Sequence, residues 1–303
     1  MDVILIKIIE AFLHYIFGVP TIEEAKRDKC IALYRTGIRM WNAMTERAFS
    51  FAGMAPSSVD GASSVLVTGL GNILQAVAIS ILATAFLYRF FKTFNEDRQG
   101  LDVYQVIKVV LILYIGDYAV MNAGEILNRI FGIGSSLGGF IAASSNGLGE
   151  SAAVLDALNA GEPGLPTMFV MLVFCIIMIV TGAGVLITVI QRLIRLFLLL
   201  PFAGSTLATI VAGGRVADVG YSFIRAALGY ALEGALIVLV IIIGNNLAAA
   251  DVLYSAFDGV IVDTDSMTFW RVIVGLLCQM LICGAVSGLV KQADSLVHRM
   301  FGL

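Results

Sequence analysis

Thr167–Ile190 reads TMFVMLVFCIIMIVTGAGVLITVI, 24 residues without a charge, and runs on into Gln191, Arg192, Leu193, Ile194 and Arg195. A bilayer crossing needs about 20 predominantly apolar residues, so this stretch is long enough to span, and the arginines mark its exit into water or headgroups. Outward from it the pattern repeats. Val65–Tyr88 is another uncharged run of 24 residues, closed by Tyr88 and Arg89. Ala226–Leu247, with Glu233 near its middle, and Phe269–Val290, entered through Trp270 and Arg271, are two further apolar runs, and Val103 to about Tyr118 is a shorter one carrying Lys108 and Asp117. These five runs predict an all-α polytopic transmembrane helix bundle. Composition agrees: 59% of residues are hydrophobic and 14% charged, with a mean hydropathy of +0.94, against roughly 45–50% and about 25% in a soluble domain.

The intervening segments are harder to place. Leu196–Val211 is apolar but only 16 residues long, and Pro201 interrupts it. Backbone groups freed at a broken helix need protein or water nearby, which predicts a re-entrant or interfacial segment. Ala119–Pro166 is rich in Gly and Ser, with Gly132, Gly134, Gly138 and Gly139, then Asn146, Gly147 and Gly149. It predicts a long outer loop region with one or two helical pieces, one supported by Glu125 and Arg129 at i, i+4. Its glycines do not make a phosphate loop, because no Lys follows and no strand precedes; close helix packing or a flexible membrane-proximal segment is the expected use.

At the N-terminus, Val3–Phe17 sets Lys7, Glu10 and His14 on one narrow helical stripe. A surface-lying amphipathic helix is favoured over a short first crossing, and over a removable signal segment because no small-residue cleavage site follows. Thr21–Asp60 is the most polar part and predicts a second interfacial helix with Trp41 at headgroup level, or a platform for a partner protein. The expected organisation is an amphipathic region over 1–64, a first transmembrane hairpin over 65–118, the loop region over 119–166 and a C-terminal bundle over 167–303.

Charge orders the spans. Lys and Arg number three in Arg89–Asp102, one in Ala119–Pro166, four in Gln191–Arg225, none in Ala248–Thr268 and two after Val290. That alternation is the positive-inside pattern for five crossings after residue 64. The basic residues between 20 and 64 fall on the outer side and resist the scheme.

Catalytic chemistry finds little to work with. His14 and His298 are the two histidines and sit near the ends, the four cysteines show no metal-ligand spacing, and no Gly-x-x-x-x-Gly-Lys-[Ser/Thr] run is present. The sequence predicts a non-enzymatic protein with no cofactor and no metal. Glu233 is the strongest single residue, since a carboxylate at mid-bilayer costs about 2.5 kcal/mol or more and so meets a partner or water. Arg225, Gly229 and Glu233 are spaced by four on one face; Asp117 and Lys108 are the other intramembrane charges. A helix-locking role and a proton-relay or pore-lining role both fit Glu233. Gln75 and Gln279 suit interhelical hydrogen bonds, and Gly284 with Gly288 forms a small-xxx-small pair that permits close helix approach.

The layout, with Ser222-Phe223-Ile224-Arg225 leading to Gly229 and Glu233-Gly234-Ala235, and Lys291-Gln292-Ala293-Asp294 before Met300-Phe301-Gly302, resembles the TrbL-like polytopic channel subunits of bacterial conjugative type IV secretion systems. The likeness covers most of Val65–Leu303. It implies a multi-copy, multi-pass protein of the bacterial cytoplasmic membrane that contacts lipid, other secretion subunits including separate ATPases, and a transient DNA-protein or protein substrate. Within it, Gly134, Gly138 and Asn146 of the outer loop are the expected substrate or partner contacts. A proton-coupled secondary transporter using Glu233 and Asp117 is the alternative, although one broken segment and no internal repeat argue against it.

Overall fold

The computed structural model describes residues 22–56, 71–96, 103–143, 146–160, 164–257 and 267–301. The Val3–Phe17 helix and the first residues of the Val65–Tyr88 run lie outside them. The helices are α1 (Ile22–Ala52), α2 (Gly71–Glu96), α3 (Val103–Met121), α4 (Ala123–Ala143), α5 (Ala152–Ala160), α6 (Leu165–Ala208), α7 (Gly214–Ala249), α8 (Val252–Phe257) and α9 (Met267–Phe301), with a 3₁₀ turn at Thr209–Ala212 after α6. No strand occurs among the described residues. That is the outcome lipid imposes, because a helix satisfies its own backbone hydrogen bonds where water is absent. Among the described residues five helices are long and apolar enough to cross a membrane: Ile73–Asn95 in α2, Ala123–Ala143, Leu165–Ala212, Gly214–Ala249 and Phe269–Val297. The chain is an all-α, multi-pass membrane protein.

The spans differ in detail from those expected. Leu196–Val211 is not a re-entrant segment: α6 runs through it as one helix of 44 residues with Pro201 inside. At about 1.5 Å per residue it is about 66 Å long, twice the hydrocarbon core of a bilayer. Pro201 removes one backbone donor, yet Leu196, Leu200, Ala203 and Leu207 are all buried, a continuous i, i+4, i+7, i+11 face that holds the helix together across the proline. The one or two helical pieces expected within Ala119–Pro166 are α4 and α5, with Arg129 paired to Glu125 at 2.6 Å on α4; α4 is more than a loop helix, being long and apolar enough to cross a membrane. In α4 the buried residues are Ala123, Leu127, Phe131, Gly134 and Gly138. The glycines complete a helical stripe, so they serve contact between helices. The Val103–Tyr118 run is helical as α3, which ends beside Asn122, and α4 begins directly after it.

The chain divides into two compact units, one drawn from Met1–Arg47, Ser145–Leu186 and Val240–Val290, the other from Ala48–Ser144, Ile187–Leu239 and Lys291–Leu303. In the first, Tyr34, Trp41, Phe174, Met171, Met178, Ile241 and Leu276 are fully buried. The α1 contribution lies on one seam, because Cys30, Tyr34, Ile38, Trp41 and Thr45 are buried while Lys29, Arg35, Arg39, Glu46 and Arg47 are exposed. Gly37 is needed there: a Cβ would come within 2.9 Å of the Phe174 ring and 3.3 Å of the Cys175 backbone. The α9 seam is a regular alternation of four and three, Val272, Leu276, Gln279, Cys283, Val286 and Val290, the heptad spacing of helices packed side by side.

In the second unit, α4 packs Leu127 and Phe131 against Leu196, Leu200 and Leu207 of α6 and Ala227 and Ala231 of α7. A smaller cluster joins Ala78, Leu82 and Ala85 of α2 to Val120, Ala208, Val211 and Ala212. A Cβ at Gly134 would collide with the Ala231 carbonyl, so only glycine lets α4 approach the α7 backbone this closely.

Candidate functional site

The polar groups fall into two clusters, one in each unit. In the first unit α1 is fastened by side-chain hydrogen bonds spaced along its buried seam. The Tyr34 hydroxyl donates to Gln279 Oε1 at 3.1 Å and accepts from the Ser151 backbone N–H at 2.8 Å. Seven residues on, the Trp41 indole N–H donates to Asn245 Oδ1 at 3.0 Å. Asn42 brackets the Leu148 peptide, donating to its carbonyl at 3.1 Å and accepting from its N–H at 2.7 Å. At the surface Arg35 grips Glu150 with two N–H groups at 2.9 and 3.3 Å. Burial pushes the Tyr34 hydroxyl up to about 12, outweighing the opposite pull of its Ser151 and Gln279 hydrogen bonds, and burial also raises the Cys30 thiol. Asn245 Nδ2 and Gln279 Nε2 are buried without a hydrogen-bond partner among the described residues.

This overturns the interfacial placement of Trp41. The ring is fully buried, because the indole is large and apolar with one donor, and Asn245 supplies the acceptor that makes its burial favourable. The seven-residue step from Tyr34 to Trp41, together with Cys30 and Thr45, was the available sign of a packed seam.

The second cluster centres on Arg192, which is 2% exposed and not the exit anchor its sequence position suggested. Its Nε and Nη2 donate to the Tyr230 carbonyl at 3.1 and 2.9 Å, Nη2 reaches the Ala231 carbonyl at 3.4 Å, and Nη1 donates to the Ala52 carbonyl at 3.2 Å. Gly234 makes room, since a Cβ there would sit 2.6 Å from the guanidinium carbon. Glu233, also 2% exposed, interacts electrostatically with Arg192, and its Oε2 has no hydrogen-bond partner among the described residues. Arg195 pairs with Asp294 at 2.6 Å. The arginine fork thus ties the end of α1 to the middle of α7 while countering a buried carboxylate.

No family matches the chain, and neither does any curated protein or solved structure.

Other residues singled out from the sequence separate on inspection. Arg225 is exposed and Gly229 buried, so the expected Arg225–Glu233 face is split and Arg192 takes the place of Arg225 as the cation near Glu233. Lys108 and Asp117 are both exposed on α3, so neither is sheltered by this chain. Gly134 and Gly138 are buried helix contacts, whereas Asn146 is exposed in the segment before α5. Gly284 and Gly288 meet nothing within 4 Å of an added Cβ, because the packing seam of α9 passes through Gln279, Cys283 and Val286 instead. Gln75 donates to Met121 Sδ at 3.2 Å. Among the described residues no three His, Cys, Asp or Glu could hold a metal ion.

Proposed function

We propose that the chain is a TrbL-like channel or scaffold subunit of a conjugative type IV secretion machine, embedded in a bacterial cytoplasmic membrane and working in multiple copies beside separate ATPases. The observation that carries this reading is α1. A 31-residue helix with a charged face is bonded into an apolar bundle, and it leaves Lys29, Arg35, Arg39 and Arg47 exposed. Such a face suits polar contact with neighbouring subunits, and the buried polar groups of the described residues lock helices together instead of assembling a nucleophile, base and orienter. The substrate- or partner-contacting role expected of Gly134 and Gly138 passes in this reading to the exposed segment around Asn146 and Glu150.

The test is transfer from the host that carries the gene. Deleting it should stop conjugative transfer, plasmid-borne protein should restore it, and gentle detergent extraction should bring down a secretion ATPase with the tagged chain. Normal transfer by the deletion strain refutes the reading. The unpartnered buried oxygen of Glu233 favours a second reading, a proton-coupled carrier. In that case Glu233→Gln abolishes coupled uptake into vesicles while the protein still folds.

A further inference from the structure

The second unit contains a groove of about 490 Å³ between α2 and the Thr209–Val216 segment. Its walls are Val77, Ile81, Ala85 and Tyr88 on one side and Ala212 and Val216 on the other. Ser80, Thr84 and Thr209 also border it, but their hydroxyls donate to the nearby Ala76, Ser80 and Thr206 carbonyls at 3.1, 2.9 and 2.7 Å. The surface offered to an occupant is therefore apolar although the sequence is not.

One end of the groove is cationic. Arg89 follows Tyr88 on α2, and its Nη1 donates to the Val211 carbonyl at 3.1 Å. A guanidinium has five N–H donors. Arg89 Nη1 lies 3.2 Å from the position a Cβ would take on Gly213, and Lys92 Nζ lies 3.7 Å from that of Gly214. These two glycines have φ of +69° and +59°, a left-handed pair that turns the chain tightly under the arginine. Arg215 comes next, exposed in the first turn of α7, with Asp218 the acid nearest to it on that helix. From Val77 to Tyr88 the groove follows α2 for about 17 Å at 1.5 Å per residue, about half of the ~30 Å hydrocarbon core. One leaflet's acyl chain covers that depth. Arg89, Lys92 and Arg215 together make this end basic, and anionic lipid is attracted by such clusters.

We propose that this groove binds one anionic phospholipid, with an acyl chain lying between Val77 and Tyr88 and the phosphate held by Arg89, Lys92 and Arg215. Apolar lining alone would accept any lipid. The cationic end makes the site selective for headgroup charge.

Native mass spectrometry of the full chain released from detergent tests this with phosphatidylglycerol, phosphatidylcholine and glycerol phosphate added separately. One phosphatidylglycerol should be retained at concentrations at least tenfold below those needed for phosphatidylcholine, and glycerol phosphate should not bind detectably. Lys92→Gln and Arg215→Gln, both at exposed positions, should each weaken retention about fivefold. Thr84→Phe, also at an exposed position on the groove wall, should abolish it without lowering the melting temperature. Equal retention of the two lipids reduces the site to ordinary solvation by the bilayer and overturns the proposal. So does glycerol phosphate binding as tightly as the lipid, which leaves the groove without a role, and so does undiminished binding by Thr84→Phe.

Discussion

Replacing Trp41 by Phe keeps an aromatic ring on the α1 seam but removes the donor that Asn245 Oδ1 accepts at 3.0 Å. Asn245 Nδ2 already lacks a partner among the described residues, so the variant leaves a buried amide with neither polar atom satisfied there. An orphaned buried acceptor costs about 1–3 kcal/mol, and the smaller ring adds a cavity term. Interhelical hydrogen bonds in membrane proteins average nearer 0.6 kcal/mol with a ceiling of about 1.7 kcal/mol, because the unfolded chain in lipid finds other partners. Trp41→Phe should therefore destabilise by about 2 kcal/mol. Asn245→Leu should cost about 1 kcal/mol by orphaning the indole, and the double variant should lose about 1 kcal/mol less than the sum. Equilibrium unfolding in mixed micelles with rising SDS measures all four proteins of the cycle. A coupling below roughly 0.3 kcal/mol, the usual additivity error, would refute the assignment of this bond as a fastening of α1.

Gly134→Ala should destabilise by about 1–3 kcal/mol through its collision with the Ala231 carbonyl, whereas Gly139→Ala, with nothing within 4 Å, should be neutral or stabilise by up to about 1 kcal/mol from helix propensity; thermal unfolding in detergent compares them. Arg192→Met should cost about 3 kcal/mol by removing charged hydrogen bonds and leaving Glu233 buried without its cation, and Glu233→Leu added to it should recover part of the loss in the same unfolding assay. Tyr34 keeps its proton to about pH 12 in the folded chain against an ordinary 10. Between those values the unfolded state binds fewer protons than the folded one, so stability should fall as pH rises from 10 to 12, by about 3 kcal/mol in total, and the loss should be absent in Tyr34→Phe. In a Trp270→Phe background Trp41 is the sole tryptophan, and its fluorescence should resist both iodide and brominated lipid; strong quenching by either contradicts its burial.

The bundle was legible because long uncharged runs have one stable form in lipid, and Thr167–Ile190 needed no context to be read. What escaped notice depended on partners distant in the chain. Pro201 argues locally for a break, but the face of Leu196, Leu200, Ala203 and Leu207 packs against α4 and α7 and carries the helix through. Close helix packing was one of the two uses expected of Gly134 and Gly138, and their place on the buried stripe of Leu127 and Phe131 decides for it. Glu233 was identifiable as a buried carboxylate from its place in an apolar run. Its cation was not, because Arg192 is 41 positions away in sequence and its position beside a second arginine imitates a membrane anchor. Gly284 and Gly288 have the spacing that permits close approach, while among the described residues it is the neighbouring seam of α9 that is packed.

The bonds that hold α1 join residues 245 and 204 positions apart. Ribosomes add about 5–20 residues per second, so some 10–40 s separate the emergence of Trp41 from that of Asn245. Throughout that interval the nascent chain carries an indole and a phenol whose acceptors have not been made. Assembly is thus obliged to finish from the C-terminal side, and a translation product cut short before Asn245 would hold the Trp41 indole without its acceptor, a ready mark for quality-control proteases at the membrane.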